Sequence, residues 1–175
     1  MLIVAMAGLP GTGKSTLARA LAIELGAQVL DKDLLRAAKF AGRVDYSREQ
    51  DDLVCREMYA WIERAARGKG VECVIVDGRT FSRRYQLDEL REVALRCGAR
   101  LAVIECVCAP AVARVRLELD AQSGAHVAAN RSFELYSKLA AAADEIKGHK
   151  LVLDTAAEPL DALVKRCAIF VRAGS

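Results

Sequence analysis

Only two histidines, His126 and His149, occur in the 175 residues, and no Cys-x-x-Cys pair or His/Cys ligand cluster accompanies them. Neither histidine is assigned a catalytic role. Cys73, Cys106 and Cys108 lie in strand-like runs and Cys55, Cys97 and Cys167 in helix-like ones, the settings of small buried hydrophobes in a reducing compartment. No apolar run approaches the length of a membrane span, and the short opening run has no basic leader. The expected location is therefore cytoplasmic, with no membrane partner. Repeats, low-complexity tracts and linkers are also missing, so the length suits one domain with a real core. Neither sign of charge dominates. The net charge of +3 permits contact with phosphates without marking a nucleic-acid-binding surface.

Against those absences one segment stands out. Gly8-Leu9-Pro10-Gly11-Thr12-Gly13-Lys14-Ser15-Thr16 follows the apolar run 2–7 and precedes Leu17, Leu21 and Leu25 at helical spacing. This is a complete Walker A phosphate loop in the order strand, loop, helix. Its glycines let successive backbone N–H groups turn toward one anion, and the helix start adds unpaired N–H groups. Lys14, expected to be an exposed loop side chain, can reach the β- and γ-phosphates, and Ser15 supplies a hydroxyl ligand for Mg²⁺. The sequence predicts a nucleoside-triphosphate binder.

Elsewhere apolar runs alternate with helical patterns. Strands are predicted at 2–7, 27–31, 71–77, 100–107 and 150–154. Helices are predicted near 14–25, 33–40, 48–67, 83–97, 110–120, 132–146 and 159–172. In 48–67, Val54, Met58, Trp61, Ile62 and Ala65 make one apolar stripe. The Val/Ile-rich strands lack polar alternation, which implies burial on both faces and a parallel sheet between helix layers. The fold class is α/β: a five-stranded parallel sheet with helices on both faces. Acceptor-side helices are expected at about 33–67 and a short lid at about 117–131. The piece 120–131 has no clear apolar stripe and is expected to be mobile without ligand.

Three further groups point at the carboxyl edge of that sheet. Asp33, just past the second strand, is placed to orient or deprotonate an acceptor hydroxyl, with Arg36 one turn on to hold an anionic group. The competing reading makes Asp33 a helix cap and Arg36 a solvated residue; Asp31 is the weaker candidate base. Asp77 ends the third strand in the Walker B manner and would hold Mg²⁺, with Arg79 pointing into the cleft. Arg114, Arg116 and Arg131 are candidates to offset charge on a moving phosphoryl group, or else simply basic surface residues.

Taken with the loop 8–16, the stretches Asp33-Leu-Leu-Arg36, Asp77-Gly-Arg79-Thr80 and Asn130-Arg131-Ser132 resemble the small P-loop kinases of the nucleoside-monophosphate-kinase fold. Most similar are the bacterial predicted ATPases and kinases grouped near polynucleotide kinase and zeta toxin. The resemblance implies a P-loop NTPase fold, a base at Asp33 and a substrate-side arginine at Arg36. The Asp-x-Asp-x-x-Arg of adenylylsulfate kinases matches Asp31 through Arg36, and the Asp-Gly-Phe-Pro-Arg-Thr of adenylate kinases is only partly matched at Asp77–Thr80. The glycine-rich acceptor motif of shikimate kinases and the Asn-Lys-x-Asp motif of GTPases are both absent, so ATP is the expected nucleotide. The second helical domain of AAA+ machines is also missing.

Two functions follow. One is an ATP–Mg²⁺:hydroxyl phosphotransferase, its acceptor a small molecule, a nucleotide or a nucleic-acid 5′ end. The other is a P-loop ATPase acting as a nucleotide-dependent switch on a macromolecular partner. The acid and arginine on the acceptor side favour the first.

Overall fold

Alternate residues of β1 (Leu2–Ala7) feed two different cores, because successive strand side chains point to opposite faces. Ile3, Ala5 and Ala7 pack with Val54, Met58 and Ile62 of α3 (Arg48–Arg67) and Leu90 and Val93 of α4 (Arg84–Arg96). Val4 and Met6 pack with Leu17 and Leu21 of α1 (Lys14–Leu25) and Leu163, Cys167 and Val171 of α7 (Leu160–Ala173). The strand is buried on both sides, as a parallel strand between helix layers requires.

Those relationships come from a computed structural model, which describes residues 1–68, 70–123, 128 and 130–174. The remaining strands are β2 (Gln28–Asp31), β3 (Cys73–Asp77), β4 (Arg100–Val107) and β5 (Leu151–Asp154). They form one parallel sheet in the order β2-β3-β1-β4-β5. Helices α2 (Lys32–Lys39), α5 (Pro110–Ser123) and α6 (Phe133–Ala141) lie between them in the chain. All five predicted strands and all seven predicted helices are present. No helix among the described residues is long and apolar enough to cross a membrane.

Two boundaries differ from expectation. The helix predicted at 132–146 stops at Ala141. Beyond it the Asp144 N–H donates to the Ser82 carbonyl (2.9 Å), and the Asp144 carboxylate accepts from the Arg84 N–H at the start of α4 (2.9 Å). Those tertiary bonds hold the chain in a path that a continuing helix could not follow. Helix α5 runs three residues past its predicted end, so the first part of the expected lid at 117–131 is regular helix. Gly124, Ala125, His126, Val127 and Ala129, on which the mobility expectation also falls, lie outside the described residues.

All six cysteines are free. Burial pushes the Cys106 and Cys167 thiols up to about 12, which keeps them protonated and apolar in the core.

Candidate active site

The loop between β1 and α1 closes around one of its own carbonyls. Leu9 O accepts from Lys14 Nζ (2.7 Å), Thr12 Oγ1 (2.8 Å) and the Thr12 N–H (3.3 Å). Gly8 makes that curl possible. It sits at φ 131°, and a Cβ there would stand 2.3 Å from the Cys106 carbonyl oxygen, so no side chain fits without moving β4. Its N–H donates to Thr80 O (3.0 Å), tying the loop to the segment after β3.

Lys14 is buried rather than exposed, a correction to the sequence expectation. Burial lowers its pKa to about 8, against the pull of the Asp77 carboxylate toward the charged form. Asp77, at the end of β3, is itself buried, and its Oδ1 has no hydrogen-bond partner among the described residues. In register beside it stands Asp31, at the end of β2.

Two clefts meet at this edge. The first, about 510 Å³, runs from Gly13 and Thr16 past Arg116 and Thr155 to Glu158 and Leu160. The second, about 380 Å³, is lined by Lys32, Arg36, Tyr46, Arg83, Tyr85 and Asn130, among others. Four side chains line both: Lys14, Ser15, Asp33 and Arg131. A hydroxyl in the second cleft and a phosphate in the first would therefore share the same acid, ammonium, hydroxyl and guanidinium.

Asp33 forms an ion pair with Arg36 (3.2 Å), and Arg36 and Lys32 both converge on Asp51 Oδ1, the latter at 2.5 Å. Burial raises the Asp51 carboxyl, but Lys32 and Arg36 outweigh it and hold its pKa below the usual carboxylate range. Arg36 also lies over the Tyr46 ring, 5.4 Å from its centroid. The Nε of this buried guanidinium has no acceptor among the described residues.

The arginines expected in the cleft divide three ways. Arg131 faces both clefts and pairs with Asp120 of α5 (3.1 Å). Arg116 lines the first cleft, where its Nη1 and Nη2 donate to Thr155 Oγ1 (2.8 Å) and Thr155 O (3.1 Å). Thr155 Oγ1 in turn donates to Thr12 O (2.9 Å), linking β5 to the phosphate loop. Arg114 lines neither cleft; it stacks over Phe133 at 4.1 Å. Two residues apart on a helix, Arg114 and Arg116 point to nearly opposite sides, so only one can face the loop.

Arg79 is likewise turned away from both clefts. It is 2% exposed, bonded to the Tyr59 hydroxyl and to Glu89 (2.8 Å), with the Tyr59, Phe81 and Tyr85 rings within 6.0 Å. A carboxylate and three aromatic rings around it offset the desolvation of a charge that the sequence reading aimed into the cleft, toward phosphate or acceptor.

Lys32, Asp51, Tyr46, Arg83 and Thr155 were not singled out from the sequence. Lys32 carried the only available signal, standing between two acids already chosen. The others come from distant segments and carry no motif.

A family model described as AAA domain (AAA_33) matches residues 3–134. A UPF0200 protein of Aeropyrum pernix is 37% identical over 109 residues, 59% of this chain and 56% of that relative, so the match spans little more than half of the relative's length. Among solved structures, an APS kinase of Mycobacterium tuberculosis, in complex with AMPPNP and APS, superposes with a TM-score of 0.71 at 19% identity, covering 98% of this chain and 97% of that one. A gluconokinase of Sinorhizobium meliloti superposes with a TM-score of 0.69 at 21% identity, covering 98% and 92%. The fold they share with this chain is that of the small P-loop kinases.

Proposed function

The chain belongs to the AAA domain family AAA_33, and from that premise we propose that it moves the γ-phosphate of ATP–Mg²⁺ to the hydroxyl of a small acceptor. The observation that carries this reading is the shared boundary of the two clefts, where Lys14, Ser15, Asp33 and Arg131 line both. Nucleotide phosphates would lie along the loop 8–16, against its backbone N–H groups and Lys14. The acceptor would lie in the second cleft, its hydroxyl beside Asp33.

In that arrangement Asp33 takes or orients the hydroxyl proton, and Arg36 at 3.2 Å holds the carboxylate in place. Lys14 and Arg131 offset the charge that spreads over the transferring group. Holding both reactants against fixed charges supplies most of the rate enhancement in phosphoryl transfer.

The residues at the β3 end fit a Mg²⁺ ion. A buried carboxylate oxygen without a donor, as at Asp77 Oδ1, is costly unless a cation or its water satisfies it. Ser15 and Asp77 would hold the ion together with phosphate oxygens and water. When bound, it neutralises the β- and γ-phosphates. Free thiols at all six cysteines support a reducing, cytoplasmic setting.

The test is ADP formation from ATP with and without a panel of small hydroxyl compounds. Acceptor-dependent ADP with a phosphorylated product is expected. Hydrolysis that ignores every acceptor and rises only with a macromolecular partner would replace the kinase reading with a switch ATPase.

A further inference from the structure

We infer that the acceptor is a small anion: a hydroxyl compound that also carries a carboxylate, sulfate or phosphate, received by Lys32, Arg36 and Arg83. The inference rests on the kinase reading and narrows its substrate class.

The walls of the second cleft carry five cations, Lys14, Lys32, Arg36, Arg83 and Arg131, against two carboxylates, Asp33 and Asp51. With Lys14 and Arg131 assigned to the transferring phosphoryl group, and Arg131 already paired with Asp120, Lys32, Arg36 and Arg83 face Asp33 and Asp51, so one positive charge remains in excess. Arg83, at the start of α4, pairs with no carboxylate among the described residues. Arg36 and Lys32 are both buried and share one oxygen of Asp51, and Arg36 Nε is left without an acceptor. A planar guanidinium favours anions that present two oxygens to it at once, which carboxylate, sulfate and phosphate do and a single hydroxyl does not.

Asp51 stands in for that anion. It projects from the first turn of α3, which packs on α2, and its carboxylate lies on the two cations of α2. An incoming anionic group would meet the same two side chains, and Asp51 would compete with it. Asp33 repels anions, so the acceptor's charged group and its reacting hydroxyl must sit at separate ends of the molecule. The cleft volume of about 380 Å³ suits a compact molecule of that kind.

The experiment is calorimetric titration of sodium sulfate into the full chain already saturated with AMPPNP and Mg²⁺, so that the phosphate loop is filled. Saturable binding is expected, weakened about tenfold or more by Arg36→Met and a few-fold by Arg83→Ala. Asp51→Asn is expected to tighten it, a direction that a purely structural aspartate would not give. Arg83 is exposed, so its variant folds even where Arg36→Met does not. In parallel, ADP formation is compared for glucose, gluconate, glucose 6-phosphate and a 5′-hydroxyl oligodeoxynucleotide.

Turnover of the small charged compounds ahead of glucose supports the inference. Preference for glucose overturns the anionic class, and preference for the oligonucleotide overturns the small-molecule class. Absent sulfate binding, or binding unmoved by both Arg83→Ala and Asp51→Asn, overturns the site. If AMPPNP binds and sulfate does not, only this inference falls; if AMPPNP itself fails to bind, the kinase reading falls with it.

Discussion

Asp31 and Asp33 divide between them the two tasks open to an acid at the start of α2. Asp31 Oδ1 accepts from the backbone N–H groups of Asp33 (2.8 Å) and Leu34 (3.2 Å), which makes it the helix cap. Asp33 is therefore relieved of capping, and its carboxylate lies at the junction of the two clefts beside Arg36.

That division gives a paired prediction. Asp31→Ala should cost about 1 kcal/mol of stability through the lost cap, read as a lower denaturation midpoint. Asp33→Asn should leave the midpoint nearly unchanged while phosphoryl transfer falls about a hundredfold, and AMPPNP binding should hardly change. Near-normal transfer by Asp33→Asn would remove it from the chemistry.

Lys14 sets a pH dependence. Its pKa in the folded chain is about 8, below the ordinary 10.5 that it regains on unfolding. Between those values the unfolded chain binds a proton that the folded one has shed, so the contribution of Lys14 to stability rises with pH across that window. Nucleotide phosphates favour the ammonium, so binding should take up a proton there, and affinity for AMPPNP should fall as pH climbs from about 7 to about 9. Calorimetry in buffers of different ionisation enthalpy measures the uptake. No uptake at about pH 9 would mean that Lys14 does not meet the phosphates.

Arg116 and Arg114 should separate cleanly. Arg116→Ala removes the bonds to Thr155 and opens the wall of the first cleft, so AMPPNP affinity should drop about tenfold if the nucleotide lies there as proposed. Arg114→Ala loses only the stack on Phe133, about 0.5–1 kcal/mol of stability at an exposed site, with turnover unchanged. Equal effects of the two on nucleotide binding would contradict the placement of α5.

Asp77→Asn should lower Mg²⁺-dependent turnover while raising, or leaving unchanged, the stability of the ligand-free chain. The substitution removes a buried charge whose Oδ1 has no partner among the described residues. Ser15→Ala should shift the Mg²⁺ titration to higher concentration with little change in stability. Unaltered Mg²⁺ titrations in both variants would remove these residues as ligands.

The sequence by itself determined the backbone plan. Motif spacing placed the phosphate loop, and apolar runs and stripes placed each strand and helix, all but the end of α6 to within about three residues, because those signals come from neighbours along the chain. It also put Asp31, Asp33 and Asp77 at one edge of the sheet, since parallel strands with crossover helices all end on the same side. What only the tertiary structure decided is where side chains from different elements meet. Arg79, read as facing the cleft, turned inward because Tyr59 and Glu89 from α3 and α4 happen to surround it. Asp51 reached Lys32 and Arg36, and Thr155 reached Arg116, only through the packing of α3 on α2 and of β5 beside the loop. Such pairings carry no local pattern: a charge on a helix face has the same sequence signature whether it points to solvent or to a partner across the fold.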